Sequence, residues 1–396
     1  MIPTTAFAKR IRRHVTGRMR TYFAVTLPGF EPVCLQELTA LPLHLEDVKV
    51  IPGGVEFKGK LIDCWTANLN LRTAGRILMR LAHFTAGNFR QMDRHLADIP
   101  WELFLYSDSI PIIHVTTKHS RLYHSDAVRD RIQNAVSLRL HQHGCPETKA
   151  GEAYRQEQKI FVRALDDHFT LSIDSSGANL YKRGIKTLGG IAPIRETTAA
   201  AILKLCEFSG ESPLIDPMCG TGTFSIEGAM IARGIAAGTF RRFAFMNWPS
   251  FNPARWNHLK QRHEPKPVPG ILPEIFASDT DSRTVKKLKI IISQRSFCRT
   301  INASQKDFFD IVPSNLTDRK GLVVINPPYG VRIGAPSHSN KFFLNICRKL
   351  SLDFRDWKAA LIAPPTCRPD QIPFDCRPRP LFHGGINRSL LLGRIP

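Results

Sequence analysis

The string Asn326-Pro327-Pro328-Tyr329-Gly330 follows directly on the apolar run GLVVI and has residue types suited to chemistry on a planar amine. The side-chain oxygen of Asn326 and a backbone carbonyl beside proline can accept both hydrogens of an NH2 group, which aims the nitrogen lone pair at an incoming methyl group. The two prolines stiffen the loop before any reaction, and Tyr329 can stack on an extruded base. The string predicts a catalytic site of Asn326, Pro327, Pro328 and Tyr329; the alternative is a rigid proline turn.

A glycine-bearing turn lies upstream, in Leu214-Ile215-Asp216-Pro217-Met218-Cys219-Gly220-Thr221-Gly222-Thr223. Glycines let the backbone approach a ligand, and the helix N-terminus that follows favours negative groups. The spacing matches neither a dinucleotide fingerprint nor a P-loop. Asp216, at the end of the strand, suits a positively charged amine better than a pyrophosphate. The turn is predicted to bind a ligand; the alternative is an ordinary strand-to-helix turn.

Two further acidic residues follow later apolar segments. Asp279, in Ala277-Ser278-Asp279-Thr280-Asp281, can accept both ribose hydroxyls of an adenosine. The alternative is a helix N-cap, a role that suits Asp281 or Ser282, so we favour Asp279 for the ribose and Asp281 for the cap. Asp307, beside Phe308, can bond an adenine amine; an exposed loop aspartate is the alternative.

These residues need elements that bring strand ends together. Beyond residue 195, helices alternate with apolar strands, which predicts a parallel sheet with right-handed crossovers. Helices are predicted at residues 196–208, 223–233, 282–294 and 341–350, and strands at 213–216, 274–279, 321–326 and 358–363. Residues 240–273, rich in proline, arginine and aromatic residues, are predicted to form an insertion or a long loop.

The first half of the chain predicts small α+β modules with a basic surface. Strands are expected at residues 22–27 and 110–116, hairpins at 48–57 and 159–174, and helices at 31–41 and 124–140. Residues 63–81 predict one long amphipathic helix, because their leucine and isoleucine residues recur at helical spacing.

The composition narrows the class of partner. Lys and Arg number 55 against 34 Asp and Glu, a net charge of +21, which favours a polyanion such as nucleic acid over a generically basic surface. The nine cysteines form no CxxC pair, so a zinc site is not expected and we predict reduced thiols in a cytoplasmic protein. No apolar stretch is long enough to span a bilayer.

Together these motifs carry a resemblance to a known family. DPMCGTGT and NPPYG, in this order, are similar to class I methyltransferases that act on exocyclic amines. The stretches Tyr181-Lys182-Arg183-Gly184, 192–197 (APIRET) and 23–31 (FAVTLPGFE) resemble THUMP-domain ribosomal RNA guanine-N2 methyltransferases. The resemblance implies an α/β fold: a Rossmann-like class I methyltransferase sheet at residues 179–396, preceded by a basic arm at 1–20, a ferredoxin-like module at 21–60 and a THUMP domain at 61–178.

The resemblance also implies an activity: transfer of a methyl group from S-adenosyl-L-methionine to guanine N2 in large-subunit ribosomal RNA, without a metal or a membrane. Cofactor-binding residues would be Asp216, Cys219, Gly220, Thr221, Gly222, Asp279, Asp307 and Asn326, and RNA-binding candidates are Arg121, His124 and Arg129. The alternatives are a tRNA guanine-N2 methyltransferase, a non-catalytic RNA-binding ribosome assembly factor, and methyltransferases of DNA adenine or protein glutamine. The oligomeric state is left open.

Overall fold

The computed structural model describes residues 5–142, 157–185, 194–264, 273–328, 336–383 and 386–396. In chain order its helices are α1 (Thr5–Ile11), α2 (Glu31–Thr39), α3 (Leu61–Asn70), α4 (Phe89–Ala97), α5 (Ser125–Gln142), α6 (Glu196–Leu205), α7 (Thr223–Ala232), α8 (Pro253–Arg262), α9 (Ser282–Gln294) and α10 (Pro336–Asp353). Its strands are β1 (Arg20–Val25), β2 (Glu46–Ile51), β3 (Gly54–Gly59), β4 (Arg76–Thr85), β5 (Ile112–Lys118), β6 (Lys159–Leu165), β7 (His168–Asp174), β8 (Leu214–Asp216), β9 (Ile275–Asp279), β10 (Ile301–Gln305), β11 (Leu322–Ile325), β12 (Lys358–Ala363), β13 (Cys376–His383) and β14 (Ile386–Arg394).

The described residues fall into two compact units that are discontinuous in sequence. The first draws on residues 1–26, 35–180 and 241–262, and the second on residues 27–34, 181–240 and 263–396. None of the helices within the described ranges is long and apolar enough to cross a membrane.

The first unit is built on a seven-stranded sheet in the order β2-β3-β1-β4-β7-β6-β5. Neighbouring strands pair antiparallel except β5 and β6, which are parallel. Alternate residues of β6 and β7 are apolar and buried: Ile160, Val162, Ala164, Phe169, Leu171 and Ile173. Helix α5 packs on this side, and its buried residues Val128, Ile132, Val136 and Leu140 recur every fourth position.

The single helix expected at residues 63–81 is wrong in its second half. Helix α3 ends at Asn70, and the chain then enters β4, which pairs with β1 and β7. The register of β4 shifts between Arg80 and Ala82. Because a bulge inserts one residue, it breaks the two-residue alternation of a strand and gives the apolar side chains a helix-like spacing.

The segment 240–273 is more ordered than the predicted insertion or loop. It contains a short 3-10 turn and helix α8. The Trp65 ring stacks on Phe245 at 5.4 Å and meets Trp256 edge-on at 6.3 Å, and Nε1 of Trp248 donates to Gln158 at 2.8 Å. Residues 241–262 therefore complete the core of the first unit; residues 265–272 lie outside the described part of the chain.

The second unit carries the parallel sheet that the alternation predicts. Its strand order is β10-β9-β8-β11-β12-β14-β13. The first five strands of this order are parallel, and β14 is antiparallel to both of its neighbours, β12 and β13. From β8 the chain adds β9 and β10 on one side of the sheet and then β11 and β12 on the other. The topological switch point therefore lies between β8 and β11. Ligands of open α/β sheets bind outside the carboxyl ends of the strands at such a point.

The C-terminal hairpin of β13 and β14 was not anticipated from the sequence. Arginine and proline dominate residues 368–380 and look irregular, yet Pro378 and Pro380 lie within β13. This strand is at the edge of the sheet and pairs only with β14. Edge strands tolerate proline because one side of the strand needs no ladder hydrogen bond.

Candidate functional site

Three strand ends bring the predicted polar residues to one edge of the second unit's sheet. Asp216 is the last residue of β8, Asp279 is the last residue of β9, and Asn326 follows β11. Strand β8 lies between the other two, with Asp216 opposite Ala277 and Ile215 opposite Val323. All three side chains therefore belong to the carboxyl edge that flanks the switch point.

The turn after β8 uses its two glycines differently. Gly220 and Gly222 have φ values of 52° and 74°, in the left-handed region that favours glycine. A Cβ on Gly222 would lie 2.5 Å from Cδ1 of Leu288 on α9, whereas a Cβ on Gly220 would meet no atom within 4 Å. Gly222 is therefore required for packing, and Gly220 faces open space that a ligand can fill.

Asp279 fastens this turn to the neighbouring strand. Its Oδ2 accepts the N–H of Gly220 at 2.8 Å and its Oδ1 accepts the N–H of Asp281 at 2.9 Å. Asp281 accepts the N–H of Arg283 at 2.9 Å and caps α9, which confirms the predicted cap. The N–H of Cys219 also donates to the carbonyl of Ser278, at 2.9 Å, so the turn is held to β9 at two points.

Asp216 is buried and binds the helix that follows the turn. Its Oδ2 accepts from the backbone N–H of Ser225 at 3.2 Å and from the Ser225 hydroxyl at 2.7 Å. Ser225 lies in the first turn of α7, and the sequence alone does not single it out as a partner of Asp216. Cys219 and Thr221, both buried, lie in the same turn.

Asp307 follows β10, the third strand on this side of the sheet. Its side chain is exposed, and its Oδ1 accepts the N–H of Phe309 at 2.9 Å to cap a short 3-10 turn. The two following rings differ, because Phe308 is in the core while Phe309 is 37% exposed. The accessible ring next to Asp307 is therefore Phe309.

Asn326 has an acceptor with no partner. Its Oδ1 is shielded from solvent and accepts no hydrogen bond from the residues that the structure describes. Buried polar atoms are nearly always paired, and an unsatisfied one costs about 1–3 kcal/mol, so this oxygen points to a missing donor. Pro327 is buried and Pro328 half-buried; Tyr329 lies outside the described residues.

Asn340, near the start of α10, shows the same property. Its Oδ1 is also shielded and unpaired within the described ranges. Helix α10 connects β11 to β12, and such a crossover helix starts at the carboxyl edge of a parallel sheet. Asn340 could not be singled out from the sequence, because no signal distinguishes it from other polar positions of an amphipathic helix.

The three RNA-binding candidates lie in the first unit, around the start of α5. Arg121 pairs with Asp167 at 3.0 Å and Arg129 with Asp126 at 2.7 Å. The ring of His124 lies 4.0 Å from that of Tyr123, which is 63% exposed. Both arginines thus have carboxylate partners, although exposed pairs of this kind are weak and exchange easily.

Two family models match the chain. The RMKL-like methyltransferase domain matches residues 183–370, and the RlmL ferredoxin-like domain matches residues 21–78. The first match spans the glycine turn, both strand-end aspartates and the NPPYG string. The second covers β1 to β3 and the start of β4.

Similar proteins extend over nearly the whole chain. The putative RNA methyltransferase slr0064 of Synechocystis sp. is 30% identical over 94% of this chain and 96% of its own length. The ribosomal RNA large subunit methyltransferase K/L of Methylococcus capsulatus is 30% identical over 87% of this chain but only 47% of its own length, so the chain spans about half of that relative. A crystal structure of a putative methyltransferase complexed with SAH has a TM-score of 0.80 and 27% identity, covering 95% of this chain and 98% of that one. These matches confirm the predicted fold class.

Proposed function

Because the chain belongs to the RlmL-like methyltransferase family, we propose that it methylates the exocyclic N2 of a guanine in large-subunit ribosomal RNA, with S-adenosylmethionine as methyl donor. The observation that carries this proposal is the shielded Oδ1 of Asn326 at the switch point of the sheet, which has no hydrogen-bond partner among the described residues. An exocyclic amine supplies the donor that this oxygen lacks.

The residues present fit the cofactor. The open space beside Gly220 leaves room for a ligand against the turn. Each carboxylate oxygen of Asp279 accepts one backbone N–H and retains a second lone pair, which suits a ribose diol. In this proposal the turn from Asp216 to Gly222 holds the methionine part, and Asp307 with Phe309 holds the adenine.

Asn326 and the proline carbonyl beside it would orient the target amine. When bound, S-adenosylmethionine would supply an electrophilic methyl group: a bond from the amine nitrogen to the methyl carbon would replace the sulfur–methyl bond, with S-adenosylhomocysteine as the leaving group. Two acceptors on the two N–H groups fix the plane of the base and polarise the nitrogen, and the prolines keep those acceptors in place. Tyr329 is proposed to stack on the base, and the amine proton leaves to solvent after transfer.

Several features support RNA as the substrate. The net charge of +21 favours a polyanion, and the relatives named as RNA methyltransferases include one named for large-subunit ribosomal RNA. A segment that matches the RlmL ferredoxin-like domain precedes the methyltransferase sheet in the sequence. A ribosomal substrate would place the protein in the cytoplasm, as the sequence predicts. Arg121, His124 and Arg129 remain proposed contacts to that RNA.

The test compares Asn326→Ala with Asn302→Ala, which makes the same deletion at an exposed residue of β10. Methyl transfer from radiolabelled S-adenosylmethionine to RNA from cells lacking the protein is followed by nucleoside analysis. We expect label in N2-methylguanosine of large-subunit RNA with the wild type and with Asn302→Ala. Asn326→Ala should lose at least about 100-fold in rate, because the amine is no longer held in line, while its affinity for donor and RNA stays close to the wild-type values.

Other outcomes would change the proposal in distinct ways. Label in the tRNA fraction would change the proposed substrate from ribosomal RNA to tRNA and leave the proposed reaction as it is. Label in DNA or protein, with none in RNA, would reject RNA as the substrate. Failure of the wild type to bind S-adenosylmethionine would favour the assembly-factor alternative. Full activity of Asn326→Ala would show that the unpaired oxygen is not the acceptor for the amine.

A further inference from the structure

The sheet of the first unit has a second face, opposite the one whose side chains form the core. Along β6 and β7 the alternate residues that point away from Ile160, Val162 and Leu171 include Arg163, His168 and Thr170, of which Arg163 and His168 are exposed. Strand β5 continues the pattern, with His114, Thr116 and Lys118 exposed. We name this side, across β5, β6, β7 and β4, the outer face.

The strand register arranges the outer face in three rows that cross four strands. The rows are His114–Phe161–Ser172–Arg80, Thr116–Arg163–Thr170–His83 and Lys118–Leu165–His168–Thr85. Every row contains a cation or histidine and a hydroxyl, and no row contains a carboxylate. Four strands and three alternate positions cover about 14 by 13 Å.

Three of the four carboxylates on the strands of this sheet are already engaged, and the fourth, Glu46, lies on the edge strand β2. Glu56 on β3 pairs with Lys49 and Arg80, each at 3.3 Å, and Asp47 pairs with Lys58. Asp174, at the end of β7, is fully buried and bound by Arg76. These pairs engage Lys49, Lys58, Arg76 and Arg80. Of the three cations in the rows, Arg80 therefore has a carboxylate partner among the described residues, which leaves Lys118 and Arg163.

Lys118 and Arg163 are the uncompensated charges. Both side chains are exposed, and neither has a carboxylate within ion-pair distance in the part of the chain that the structure describes. Two histidines of the outer face have lowered pKa values, first through burial and second through nearby cations. Burial, and then the charge of Arg80, lower the pKa of His83; burial, and then the charges of Lys159, Arg76 and Arg129, lower the pKa of His114.

We propose that the outer face binds the sugar–phosphate backbone of the substrate RNA, with Lys118 and Arg163 as its phosphate contacts. Cations neutralise phosphates, and the threonine hydroxyls and histidine N–H groups between them suit phosphate oxygens and 2′-hydroxyls. The inference rests on the proposed function for the identity of the polyanion. It names a surface distinct from Arg121 and Arg129, both of which have carboxylate partners.

The chain offers a matched control for this test. Arg90 and Arg94 on α4 are exposed and, among the described residues, have no carboxylate partner. Helix α4 lies on the helix-covered side, because its His95 stacks at 4.6 Å on Phe84, which lies opposite the buried Phe169 of β7. The double variants Lys118→Glu/Arg163→Glu and Arg90→Glu/Arg94→Glu therefore make the same change in charge on opposite sides of one sheet.

The full-length variants are compared for binding to large-subunit ribosomal RNA transcribed in vitro, over a range of KCl concentrations. We expect the outer-face variant to bind at least about 10-fold more weakly, with a salt slope reduced by about 1.4 to 1.8 for two lost phosphate contacts. The α4 variant should stay within about threefold of the wild type, since surface charge away from the contact acts only at long range. Methyl transfer by the outer-face variant should show a raised KM for RNA with kcat retained.

Equal losses in both double variants, or wild-type affinity in the outer-face variant, would overturn the inference while leaving the proposed function intact. Loss of RNA binding in the outer-face variant, with no methyl transfer by the wild type, would instead support the surface and reject the function. The variant Lys118→Gln/Arg163→Gln guards against misfolding caused by the introduced acids, and it should show the same reduced slope with a melting temperature close to that of the wild type.

Discussion

Asp279 combines two tasks at one side chain, because it holds the glycine turn and faces the proposed ribose site. In Asp279→Asn one carboxylate oxygen becomes an NH2 group that opposes a backbone N–H of Gly220 or Asp281. Hydrogen bonds to charged groups contribute about 1.5–3 kcal/mol, so the affinity for S-adenosylmethionine should fall by about 10- to 100-fold. Calorimetric titration measures this change, and kcat at saturating donor should stay within a few-fold, because Asn326 is untouched.

Asp310→Asn is the control, since Asp310 is exposed and lies in the same region without a side-chain bond in the described structure. It should bind the donor as the wild type does. A lowered kcat with unchanged donor affinity in Asp279→Asn would mean that this carboxylate acts on the target base instead.

Residue burial also sets thiol reactivity. The cysteines in the described residues are free, and burial raises the pKa of Cys64, Cys206, Cys298 and Cys347 to about 12. At pH 8 the thiolate, which is the reactive form, is then only about one part in ten thousand. Iodoacetamide followed by peptide mass mapping should leave these four unlabelled in the native protein and label them in urea, while the half-buried Cys367 and Cys376 are labelled sooner than these four. Rapid native labelling of Cys64 would contradict its burial.

At the scale of elements, the two glycines of the turn should separate packing from ligand binding. In Gly222→Ala the new Cβ collides with Leu288 on α9, and alanine is strained in the left-handed region. Together these two effects should destabilise the fold by about 2–4 kcal/mol and lower the melting temperature by about 5 °C or more. Gly220→Ala has the strain alone, about 1 kcal/mol, but its methyl group enters the open space in which we propose that the donor binds. It should therefore weaken S-adenosylmethionine binding more than it destabilises the fold.

Thermal melts and donor titrations of both variants make this comparison. Leu288 is fully buried, so Leu288→Ala alone costs about 2–5 kcal/mol. The double variant Gly222→Ala/Leu288→Ala should lose less stability than the sum of the two single variants, because the collision is counted only in Gly222→Ala. Equal melting temperatures for Gly220→Ala and Gly222→Ala would argue that Leu288 moves aside at no cost.

The helices and strands with a clear local pattern were predictable from the sequence, whereas features that depend on contacts between distant segments were not. The bounds of α9 and β12 match the sequence prediction, because clear periodicity and a capping Asp281 mark them. Strand β4 was mistaken for helix because of its bulge. The bond from Ser225 to Asp216 and the rows of the outer face depend on pairings between distant segments, such as β5 with β6, which no local pattern encodes.

At the scale of the whole molecule, the chain is interlaced: residues 27–34 belong to the second unit, and residues 241–262 to the first. Phe30 and Val33 are each 4% exposed and join the apolar cluster of the second unit, which includes residues of α6, α7 and α9. In the reverse direction, Phe245 and Trp256 pack on Trp65 within the first unit. Each unit thus needs a segment that is remote in sequence.

This interlacing predicts how the proposed methyltransferase domain behaves alone. A fragment of residues 179–396 lacks Phe30 and Val33 and leaves the aromatic rings of residues 241–262 without Trp65. Burial of each apolar side chain contributes about 1.5–3 kcal/mol, so the loss of two removes about 3–6 kcal/mol, a large part of the roughly 5–15 kcal/mol that stabilises a typical domain. We expect the fragment to aggregate, or to melt at least about 10 °C below the full chain, because a loss of this size lowers the melting temperature by about that much.

The full-length variant Phe30→Ala separates the two causes, because it keeps the aromatic cluster of the first unit intact. It should destabilise the protein by about 3–5 kcal/mol and lower the affinity for S-adenosylmethionine only as far as unfolding requires. Val50→Ala, an exposed change on β2, serves as the control and should melt with the wild type. A fragment 179–396 that is monomeric, as stable as the full chain and able to bind the donor would contradict this prediction. It would show that residues 27–34 do not contribute to the stability of the second unit's core.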